Sequence, residues 1–156
     1  DALGGAGYAR TLEAGRAIIQ DQVAIGGRAL PWIDPAAFAE MMLAFELQSH
    51  RLAALHDGPI FFDRGVPDII GYLALVGAPV PAHLRRAADL VRYNTPWREI
   101  FTQDGGRRQT FADAETSIAA MVAAYSACGY EMTELPRASV ADRVRFILSR
   151  VGATGR

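Results

Sequence analysis

The sequence has 156 residues, of which 51% are hydrophobic and 21% charged, and its 16 basic and 17 acidic residues leave a net charge of -1. That length suits one globular domain with a sizeable core, and the even balance of charge leaves no broad electrostatic footprint for nucleic acid. No apolar run reaches the roughly 18 to 20 residues of a spanning helix, and the single cysteine, Cys128, excludes an internal disulfide framework and fits a reducing compartment.

No basic-then-apolar leader opens the chain, so the expected setting is the cytoplasm. Asp1-Ala2-Leu3-Gly4-Gly5-Ala6-Gly7 reads as the last turn of a helix, with its glycines as stop signals. Residues 8–12 form a short strand-like piece. Residues 13–25 follow with helical spacing at Ala14, Ala17, Ile18 and Ile25, stopped by Gly26-Gly27. Asp34-Pro35 is a start signal for a helix over about 34–55, whose expected buried stripe is Phe38, Met41, Met42, Phe45 and Leu52. Ile60-Phe61-Phe62, bounded by Gly-Pro and Asp-Arg-Gly, fits a buried strand of a parallel sheet. Pro67 opens a helix to Val76, and a further helix is expected over 82–90. Residues 113–127 are helical up to Gly129, and 130–135 alternate like a third strand. Ser139-x-x-Asp142 caps a last helix with Val140, Val144, Ile147 and Leu148 on its apolar face. Strands alternating with helices predict an α/β domain around a parallel sheet.

Ligands of open parallel sheets bind beyond the carboxyl ends of the strands. Those ends carry Glu13, Asp63-Arg64 and Pro136-Arg137. Carboxylates that hold magnesium, together with arginine forks that grip phosphate, suit a phosphate-bearing ligand with a divalent cation. The plainer alternatives are a buried ion pair for Asp63-Arg64 and a helix-dipole charge for Glu13. Gly105-Gly106-Arg107-Arg108 forms either a mobile loop that closes over phosphates or a solvated turn. His50, His56 and His83 lack metal-site spacing, and Cys128, Trp32 and Trp97 read as packing residues.

Glu13-Ala14-Gly15-Arg16, Leu30-Pro31-Trp32, Phe61-Phe62-Asp63-Arg64-Gly65-Val66-Pro67-Asp68, Pro96-Trp97-Arg98, Asp104-Gly105-Gly106-Arg107-Arg108 and Leu135-Pro136-Arg137 together resemble the AAA-type ATPases of bacteria. These are small P-loop proteins akin to ribosylnicotinamide kinase and to nucleoside and nucleotide kinases. The resemblance implies one P-loop NTPase-like domain over 1–156, a three-layer sandwich around a parallel sheet, with a lid-like segment at 102–111. It also implies a Gly-x-x-x-x-Gly-Lys-Ser/Thr loop upstream and a strand between Asn94 and Pro96. Neither is in these residues, which contain no lysine, so a longer chain is expected.

Carried over residue by residue, Asp63 resembles the magnesium carboxylate and Arg64 a phosphate-binding arginine. Glu13 resembles the base toward an acceptor hydroxyl, and Arg16 and Asp68 fall at acceptor-binding positions. Arg107 and Arg108 resemble lid arginines, and Pro136-Arg137 the loop bordering the adenine. The implied ligands are ATP, Mg2+ and a small-molecule acceptor, with no nucleic acid or membrane partner. Three functions fit: a small-molecule kinase, an ATPase-type switch without an acceptor, and a scaffold without catalysis.

Overall fold

The computed structural model describes residues 2–94 and 111–152. Its elements run α1 (Ala2–Gly5), β1 (Ala9–Arg10), α2 (Ala14–Ile25), α3 (Pro35–Ala53), β2 (Ile60–Phe61), α4 (Val66–Leu75), α5 (Ala82–Asn94), α6 (Phe111–Ala127) and α7 (Val140–Arg150). The architecture is mixed α/β. β1 and β2 pair in parallel, Ala9 against Ile60 and Arg10 against Phe61. The ladder is prolonged past β1 by Thr11, whose N–H donates to the Phe61 carbonyl at 2.9 Å.

Local chemistry explains the helix starts. The Asp34 carboxylate accepts from Ala37 N–H at 2.9 Å while Pro35 occupies the first helical position, where its missing N–H costs nothing. Ser139 Oγ accepts from Asp142 N–H at the start of α7. α4 opens differently. Gly65 is its N-cap and has no side chain to give, so only the returning half of a capping box forms: Asp68 accepts the Gly65 N–H at 3.1 Å.

The core joins Ala14 and Ile18 of α2, Phe38, Ala39, Met42 and Leu43 of α3, Val66, Ile69 and Leu73 of α4, and Leu84, Ala87 and Ala88 of α5. α6 packs closely on α4 because Gly71 lacks a side chain. A Cβ there would lie 2.8 Å from Met121 Sδ and 3.2 Å from the Ala120 carbonyl.

The structure corrects three expectations. Residues 130–135 form no strand; Tyr130 N–H closes the end of α6 on the Tyr125 carbonyl, and among the described residues no ladder partner lies alongside the residues that follow. Alternation describes where side chains face but supplies no neighbouring edge. Among the described residues the parallel sheet therefore has two strands. On α3, Met41 and Leu52 are exposed, since the buried face follows 38, 39, 42, 43 and 46 and Met41 lies off that line. Ile25 and Val140 are likewise exposed at helix ends.

Candidate functional site

Parallel pairing puts the carboxyl ends of β1 and β2 on one edge, where the chain beyond each strand is stitched to the other. Asp63 N–H donates to Thr11 Oγ1 at 3.0 Å. Two residues past Thr11, Glu13 stands as the N-cap of α2, and after Asp63 comes Arg64. Arg64 adopts φ 78°, a left-handed conformation rare for a residue with a side chain.

That strained residue is clamped from both sides. Arg64 Nε lies 3.4 Å from Glu13 Oε1, and Nη1 donates to Asp68 Oδ1 at 3.2 Å. Glu13 is further paired with Arg16 Nε at 3.5 Å. Asp68 is buried with both oxygens engaged; besides Arg64 it accepts from Gly65 N–H and from the Tyr125 hydroxyl at 2.5 Å. Burial pushes the Asp68 carboxyl up, opposed by the Tyr125 hydrogen bond and the Arg64 charge.

The structure thus brings Glu13, Arg16, Arg64 and Asp68 into one contact network at the edge where Asp63 also ends its strand. The Asp63 carboxylate is exposed and unpaired among the described residues. Pro136 and Arg137 line a different cleft of about 490 Å³ with Ile118 and Val122 of α6 and Arg143 of α7. Arg107 and Arg108 lie outside the described residues, as does Trp97.

Sequence reasoning missed three members of this site. Thr11 and Tyr125 supply hydrogen bonds that no spacing announces. Glu46 could have been found: it falls four residues after Met42 and eight after Phe38, on the buried face of α3. It is 4% exposed and makes no hydrogen bond or ion pair with any described residue. Burial, then the charges of Asp68 and Asp63, push its carboxyl up to about 8; Arg64 pulls the other way and Glu13 adds to the rise.

Magnesium takes one or two carboxylates and completes its shell with water and substrate phosphate oxygens. Asp63 fits that demand as a single exposed carboxylate beside an arginine. Among the described residues, no group of three or more His, Cys, Asp or Glu side chains is arranged to hold a metal by itself. Also among them, no helix is long and apolar enough to cross a membrane.

A family model described as AAA domain matches residues 1–143. A comparison with curated proteins and one with solved structures find no match. Since the family match runs through both strands and every residue of the Glu13–Arg64–Asp68 network, the chain belongs to the AAA domain family of nucleotide-binding P-loop proteins.

Proposed function

We propose that this domain transfers the γ-phosphoryl group of ATP to a hydroxyl of a small, nucleoside-like acceptor. The observation that carries the reading is the ion-paired Glu13 and Arg64 beside the unpaired Asp63, at the carboxyl edge of two parallel strands. Phosphoryl transfer asks the protein mainly for positioning and charge stabilisation. Arg64, fixed by Glu13 and Asp68, offers its guanidinium to phosphate oxygens. Glu13 takes the acceptor proton as its hydroxyl attacks, and Arg16 steadies the acceptor from one helical turn away. Asp68 acts through Arg64, since its own oxygens are occupied.

Asp63 would hold Mg2+, which would neutralise phosphate charge when bound. Arg107 and Arg108, outside the described residues, would supply the lid arginines that the family resemblance implies, and the cleft at Pro136 and Arg137 would take the adenine. In the full-length protein, labelled ATP offered with a panel of nucleosides and sugars should label an acceptor. Glu13→Gln should cut that rate by about 10²–10⁴ with ATP affinity kept. Absence of any labelled acceptor would overturn the reading.

The family match itself favours a second reading, an ATPase-type switch without an acceptor. Phosphate release that no acceptor accelerates is its signature.

A further inference from the structure

We propose that the cleft between β1 and α3 seats the acceptor, and that the acceptor carries an anionic group, a carboxylate or a phosphate, which this cleft holds. The inference rests on the phosphotransfer reading above and names the chemical class of its second substrate. The cleft encloses about 280 Å³, with Arg10, Thr11 and Leu12 on one side and Phe45, Leu52 and His56 of the α3 side on the other.

Two observations join it to the strand-end site. Thr11, in its wall, is the residue whose Oγ1 accepts the Asp63 N–H at 3.0 Å. Along α3, Phe38, Met42, Phe45, Ser49 and Leu52 advance by alternate steps of four and three and so keep to one face. The start of that stripe meets Glu13: a Cβ placed on Gly15 would lie 3.2 Å from Glu13 Oε1, 3.7 Å from Phe38 Cζ and 4.0 Å from Met42 Cε. From Phe45 onward the same stripe is the cleft wall. An acceptor lying along this face presents its hydroxyl to Glu13 while its body occupies the cleft.

The lining selects the ligand. Leu12 and Leu52 are 63% and 55% exposed and, with Phe45, offer an apolar surface for a ligand body to cover. Around it stand the Arg10 guanidinium, the Gln48 amide, the Ser49 hydroxyl and the His56 ring, all able to donate. No Asp or Glu is among the described residues that line the cleft. Donors gathered without a carboxylate match a group rich in acceptor oxygens, and a guanidinium fork pairs best with carboxylate or phosphate. The volume falls just under the range of roughly 300–1,000 Å³ usual for ligand sites, so the body is small.

The test uses the full-length protein, with binding measured by calorimetry in the absence of ATP. The probes are adenosine, cytidine, guanosine and uridine, their 5′-monophosphates and their 5′-carboxylates, which separate phosphate from carboxylate. At least one anionic probe should bind about tenfold or more tighter than its neutral parent. Arg10→Gln, at an exposed position, should weaken that binding by about tenfold to a hundredfold, the loss of one charged hydrogen bond. Ala53→Trp, which fills the cleft from the partly exposed end of α3, should weaken it by about a hundredfold or more. Circular dichroism confirms that both variants are folded. The inference is overturned if wild type binds no anionic probe or prefers none to its parent, or if either folded variant binds as wild type does. Acceptor labelling from ATP that persists in Ala53→Trp also overturns it, and leaves phosphotransfer standing. Anion binding that Ala53→Trp abolishes, without label transfer on adding ATP, instead overturns the phosphotransfer reading alone.

Discussion

Glu46→Gln should flatten the alkaline side of the protein's stability profile. In the unfolded chain this carboxyl titrates near 4.5, whereas in the native fold it titrates at about 8. Below the lower value both states carry the proton and Glu46 costs nothing. Between the two values the native state holds a proton that the unfolded state has released, so stability falls as pH rises. The slope is about 1.4 kcal/mol per pH unit. Across the whole window the loss reaches at most about 5 kcal/mol, and water penetrating to the carboxyl lowers it. Above pH 8 the penalty is complete and constant. His50 works at the other end: burial pushes its pKa down, so its contribution is lost as pH falls below the ordinary histidine value. Urea unfolding of wild type and Glu46→Gln at several values between pH 5 and 9 measures the difference. The variant should match wild type within about 1 kcal/mol at pH 5 and exceed it by several at pH 9. Parallel curves for the two proteins would refute the argument, because they would mean that Glu46 ionises in the native fold as it does in the unfolded chain.

Other expectations follow from the same site. Tyr125→Phe removes the hydroxyl from a buried carboxylate and should cost about 1–3 kcal/mol in denaturant unfolding. Gly71→Ala drives a methyl group against Met121 and the Ala120 carbonyl, and should cost about 1–3 kcal/mol with a lowered melting temperature. Asp63→Asn, at an exposed position unpaired among the described residues, should leave unfolding unchanged while weakening magnesium-dependent nucleotide binding, measured by titration with and without Mg2+.

Much of this was written in local chemistry. The Asp34-Pro35 start, the Ser139 cap, the Gly26 stop and the apolar Ile60-Phe61 strand act over a few residues, and a reader of the chain meets their whole cause in one place. Glu13 and Asp63-Arg64 were legible because a parallel pair puts successive strand ends on one edge. Pairing itself was not legible: 130–135 has the alternation of a strand without the partner that would make it one. Nor was the support of Arg64 from α6, since Tyr125 and Asp68 are 57 positions apart. Glu46 was hidden by its type. A carboxylate is readily read as the solvent side of a helix, although the spacing from Phe38 and Met42 puts this position on the inward face.

α6 is keyed to α4 in two ways, sterically where Gly71 admits Met121 and chemically where Tyr125 reaches Asp68. The first key sets how near the two helices lie; the second sets the rotational phase of α6. Turning α6 by one residue, about 100°, would carry the phenol off its carboxylate. Asp68 would then be left with one donor fewer beneath a nearly closed surface, and its hold on Arg64 would change with it. The site's arginine is in this sense geared to a helix that lies outside the sheet.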